Sequence, residues 1–143
     1  MAGVIDFKGA ARGAIGGGVV AGVICIALYF VGAAIGADFK PMHPEAMGGL
    51  AVLPFFQPMI NCVIAALVSI GLVALLGKVA PAKAWNIYLG VAVVVFLLEA
   101  YAPFWAFADM KTIFILELMH LPPTLLIVGG IYKLGLKPAT VAA

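Results

Sequence analysis

Glu117 and His120 stand three residues apart in ILELMHLPP (115–123), a segment whose other side chains are all apolar. At this spacing an acid and an imidazole share one side of a helix. Together they could pass a proton, hold a metal ion or bond to a ligand's polar group. Glu99 is a second acid inside an apolar run, and Gln57 and Asn61, four apart, present two amides on one helix face. These five residues are the candidates for ligand or proton handling. Two Met-His pairs, Met42-His43 and Met119-His120, add thioethers and imidazoles, a donor set that suits copper(I). His120, Glu117, Met119, His43 and Met42 are therefore the candidate metal ligands. Glu-x-x-His also occurs in di-iron helical bundles, which need two such motifs and two further acids. One motif and one further acid are present, so a single chain does not supply that site.

The elements that must carry these groups lie in a membrane. Of 143 residues, 66% are hydrophobic and only 10% charged, far from the balance of a soluble domain. Four apolar runs, about 13–36, 55–77, 84–107 and 112–134, each approach the ~20 residues a helix needs to cross ~30 Å of hydrocarbon. The expectation is an all-α integral membrane four-helix bundle forming one domain over 1–143. The first run is too long for a leader's apolar core, and IGAD is a poor cleavage site, so it reads as a span. The short connection FADMKT (107–112) predicts that spans three and four are antiparallel neighbours.

Lys8, Arg12, Lys78, Lys83, Lys133 and Lys137 fall on one side of this layout and only Lys40 and Lys111 on the other. That asymmetry predicts both termini in the cytoplasm, in a bacterial inner membrane. Trp85 and Trp105 mark the two ends of span three. A net charge of +2 excludes a nucleic-acid footprint, and no strand precedes the glycine-rich GAIGGGVVAG, which excludes a nucleotide site. No catalytic signature is present, and no cofactor can be named.

In span one, Gly13 and Gly17, Gly18 and Gly22, and Gly32 and Gly36 are each four apart. Small residues at this interval let helices approach closely, either within the bundle or against a second copy or another subunit. Cys25 and Cys62 lie in apolar runs and read as small hydrophobes with no disulfide or redox role.

Helical rise puts Glu99, Glu117 and His120 at similar depths, ~8–12 Å below the outer surface. A charge at mid-membrane costs ~2.5–3.5 kcal/mol, so such residues are paired or functional. Prolines lie close by. Pro103 frees the Glu99 carbonyl, and Pro122 and Pro123 free those of Leu118 and Met119. The expectation is an outer-leaflet polar pocket of Glu99, Glu117 and His120 with Gln57 and Asn61. It would serve helix assembly or ligand binding in a non-enzymatic, oligomeric or accessory membrane protein. A proton or cation transporter or channel subunit, and a metal- or cofactor-binding redox subunit, are the alternatives.

With its Met119-His120 pair followed by apolar residues in LELMHLPPTLLIVGGIYKL (116–134), the chain resembles a group of small, uncharacterised bacterial four-helix membrane proteins. Its layout is similar to that of DoxX-like membrane proteins. The resemblance implies the architecture and no activity.

Overall fold

The computed structural model describes residues 3–138. Strand β1 (Gly3–Ile5) leads into helix α1 (Phe7–Ala34), and a long loop with a short 3-10 turn (Pro44–Met47) precedes α2 (Gln57–Val79). Helices α3 (Ala84–Ala106) and α4 (Met110–Gly135) follow, then strand β2 (Leu136–Pro138). All four helices are long and apolar enough to cross a membrane, so the chain is a four-helix integral membrane bundle.

Helix α1 begins at Phe7, well before the apolar run near residue 13. Lys8 and Arg12 lower the hydropathy there, but neither breaks a helix. At 28 residues α1 is about 42 Å long, so it reaches past the ~30 Å hydrocarbon layer. Its far end is a glycine cap. Gly36 takes φ +87°, the Ala37 N–H donates to the Gly32 carbonyl at 2.9 Å, and the Gly36 N–H donates to the Ala33 carbonyl at 3.1 Å. These paired bonds are a Schellman motif, which needs a residue without a β-carbon at this turn. Gly36 thus ends the helix; a β-carbon there would meet only the Lys111 ammonium, 3.4 Å away.

Except for Gly16, which meets nothing within 4 Å, the other glycines of α1 face the rest of the bundle. A β-carbon on Gly13 would run into the α4 backbone at Gly130 and Ile131, the latter's nitrogen 2.8 Å away. One on Gly17 would strike Leu126, its carbonyl carbon 2.6 Å away, and Gly9 meets Leu134 in the same way. Gly18 and Gly22 turn to α2, against Ala66 and Met59, and Gly32 lies under Phe39 and Ile115. Close backbone approach, worth most where lipid offers no hydrophobic contrast, therefore joins α1 to α4 on one side and to α2 on the other. Within the described residues this stripe is used inside the bundle.

β1 pairs antiparallel with β2, Ile5 opposite Leu136, and the Asp6 N–H donates to the Gly135 carbonyl at 2.7 Å. The start of α1 and the end of α4 are thereby joined on one side. On the other side, the 35–56 loop is stitched to the α3–α4 turn. The Met42 N–H donates to the Ala106 carbonyl at 2.8 Å, and Lys111 Nζ donates to the Ile35 carbonyl at 3.0 Å. Phe39, only 2% exposed, anchors this loop in a left-handed conformation (φ 50°), its ring stacked on Tyr29 at 4.2 Å. That conformation is unfavourable for a side chain of this size and is held by bonds on both flanks. The Phe39 N–H donates to Thr112 Oγ1 at 3.1 Å, and its carbonyl accepts from Leu53 at 2.9 Å.

Helix α3 is the outlier. Its buried residues are Ala84 and Tyr88 at one end and Pro103 and Ala106 at the other. Between them Val93, Val94, Leu97 and Leu98 are exposed. The short turn does make α3 and α4 neighbours, yet α4 packs far more closely on α1, where glycines permit it.

Candidate functional site

The amides of α2 come together as their spacing requires: Gln57 Nε2 donates to Asn61 Oδ1 at 3.1 Å. Both line a cavity of about 120 Å³, whose walls also include Glu99 from α3, Met119, His120 and Pro123 from α4, and Cys25 and Cys62. A second, larger space of about 370 Å³ runs between α2, α3 and α4, walled mostly by apolar residues such as Ile64, Val68, Val91, Val95 and Ile127. Asn61, Ala65, Glu99 and Pro123 border both. The larger crevice and the smaller chamber, in whose mostly apolar wall Gln57, Asn61, Glu99 and His120 are set, thus meet at Asn61 and Glu99. The crevice exists because α3 touches its neighbours mainly at its ends.

Glu117 does not join this chamber; it lines neither space. Leu116, Met119, His120 and Pro123 form the α4 stripe facing the cavity. At 3.6 residues per turn Glu117 sits about 100° around the helix from Leu116, outside that stripe. Its Oε1 is buried and has no hydrogen-bond partner. His120 Nδ1 is likewise buried and has no hydrogen-bond partner. Buried polar atoms left in this state are rare and costly.

The proline-freed carbonyl of Met119 does find a donor. Cys25 Sγ donates to it at 3.2 Å from α1, and Cys62 Sγ in turn donates to Cys25 Sγ at 4.0 Å. Thr124 Oγ1 donates to the His120 carbonyl at 2.8 Å. The cysteines are therefore more than small hydrophobes. The sign in the sequence was Pro123, which creates a carbonyl in need of a partner; which residue supplies it depends on helix packing.

The proposed metal ligands do not assemble in one place. Met119 and His120 share the chamber. His43 lies in the loop, its ring stacked on Trp105 at 5.1 Å and its Nδ1 3.6 Å from Glu45 Oε1. Met42 beside it is 44% exposed. Among the described residues no three His, Cys, Asp or Glu side chains are grouped as a metal ion would require.

A polar cluster that the spacing did not announce sits at the mouth of α4. Asp109 caps the helix, accepting from the Thr112 hydroxyl at 2.7 Å and the Thr112 N–H at 2.9 Å. The Lys111 and Asp38 N–H groups also donate to it, at 3.3 and 3.4 Å. The Thr112 hydroxyl, then the Thr112 N–H, hold the Asp109 carboxyl below the usual aspartate range against the opposing effect of desolvation, with smaller help from the Lys111 and Asp38 N–H groups.

Residues 6–133 match the model of a family described as "Family of unknown function (DUF6069)". No curated protein and no solved structure matches the chain.

Proposed function

The chain belongs to the DUF6069 family, a family of unknown function, and we propose its role from the site itself: it binds an amphipathic membrane molecule between α2, α3 and α4. The tail would occupy the apolar crevice and the head group the chamber of Gln57, Asn61, Glu99 and His120. The observation that carries this is the junction of the two spaces at Asn61 and Glu99. A long apolar space ending in a few convergent polar groups is what such ligands require. The unpartnered His120 Nδ1 favours a neutral head group with a carbonyl or hydroxyl, as in a quinone or a long-chain alcohol. With the termini cytoplasmic, as the Lys and Arg asymmetry favours, the chamber lies in the outer half of the bilayer.

A proton or cation path is the second reading, supported by Glu99 and His120 bordering one cavity. One preparation separates the two. Protein purified in mild detergent is extracted with organic solvent, and the extract is analysed by mass spectrometry. Binding predicts a stoichiometric apolar molecule that is lost in Ala92→Phe, which fills the crevice, and in His120→Asn. Absence of any such molecule, together with pH-driven flux in liposomes abolished by Glu99→Gln, would replace binding with transport.

A further inference from the structure

The buried thiol pair plays no part in that reading. Cys25 on α1 and Cys62 on α2 are 1% and 3% exposed, with their sulfurs 4.0 Å apart. The close approach of α1 and α2 at Gly18 and Ala66 brings them together. Cys25 and Cys62 both line the chamber.

We infer that Cys25 and Cys62 form a binding site for a soft monovalent cation of the copper(I) class, with Met119, which lines the same chamber, supplying a thioether as third ligand. At a sulfur–metal length of ~2.3 Å, an ion between sulfurs 4.0 Å apart closes an S–metal–S angle of roughly 120°. That angle is the one a trigonal site requires. Thiolate and thioether are the ligands that select copper(I) over hard cations. Zinc asks for four ligands in a tetrahedron, and the described residues offer no group of three His, Cys, Asp or Glu to begin one. On binding, two S–H bonds break and two S–metal bonds form. Both protons leave through the chamber, the complex carries one negative charge, and nothing is oxidised or reduced. The Met119 carbonyl gives up its thiol donor in the exchange.

The test uses the full chain, purified in detergent and reduced, titrated with silver(I) as a redox-silent probe and with copper(I) against a chromophoric chelator. The expected result is one ion per chain, a new ultraviolet sulfur-to-metal band, and protection of both thiols from N-ethylmaleimide. Cys25→Ser and Cys62→Ser each lose uptake, while His43→Ala keeps it. Ala92→Phe also keeps it, so failure of the ligand-binding reading and failure of this one are distinguishable. Two silver ions per chain would mean independent thiols and would overturn the site. Full alkylation in the presence of one equivalent of ion would overturn it without any variant, should the serine forms fail to fold. A reduced protein that takes no metal but loses two hydrogens to a mild oxidant would be a disulfide pair instead.

Discussion

The Thr112 hydroxyl ties three segments together. It donates to Asp109, accepts from the Phe39 N–H, and is itself fully buried. Thr112→Val keeps the shape and removes both bonds, leaving the buried Phe39 N–H without an acceptor at a cost of ~1–3 kcal/mol. The expected outcome is a lowered melting temperature in detergent and a loop that detaches first. Asp109 gives the same anchor a pH dependence. Because its carboxyl sits below its unfolded value of ~3.9, its contribution is fully present above that value and is lost as pH falls through the lower folded one. Trp105 emission in a Trp85→Phe background, sensitive to His43 stacked upon it, should therefore change at the acid end in the parent and not in Asp109→Asn. Single residues were unequally legible in the sequence. Gln57, Asn61, Glu99 and His120 stand out because amides and charges are scarce in so apolar a chain, and the structure gathers them around one cavity. Glu117 gives the same signal yet faces elsewhere, because α4 is apolar almost all round and its sequence does not fix which side meets the chamber.

Among the elements, α1 shows how far a spacing rule reaches. Gly13 and Gly16 are both helical glycines, but a β-carbon on Gly13 collides with the α4 backbone while one on Gly16 meets nothing within 4 Å. Gly13→Leu should lower stability by at least ~1–3 kcal/mol, since backbone cannot yield as a side chain can. Gly16→Leu should be neutral or slightly stabilising through helix propensity. Unfolding of both variants in mixed micelles decides it, and equal losses would sink the packing account. The four helices themselves were readable from length and hydropathy. Which helix the glycines face was not, because the same interval serves an inner and an outer partner.

On the scale of the whole molecule, the bundle divides into a tight unit and a loose one. α1 joins α4 and α2 through backbone contact, whereas α3 is held chiefly by Tyr88 at one end and Ala106 at the other. Local opening follows such differences. Hydrogen exchange in detergent should therefore be faster over 91–99 than over 13–25, and a ligand in the crevice should slow the former alone. Uniform exchange across the four helices would remove the reason for a crevice. None of this division was visible in the sequence, where α3 is as apolar as the rest. The pairing of β1 with β2 was equally hidden, since three-residue strands leave no periodic trace.

That pairing and the glycine contact beside it bear on how the protein is made. The helix that enters the bilayer first has its closest partner in the helix that enters last. While α2 and α3 are being synthesised, the flat glycine face of α1 that will meet α4 is left to lipid. The bundle closes only when α4 arrives, a contact of high sequence separation. Chains truncated before residue 126 and released into the membrane should accordingly be open to proteases and to non-native helix partners, and chains that carry all of α4 should not.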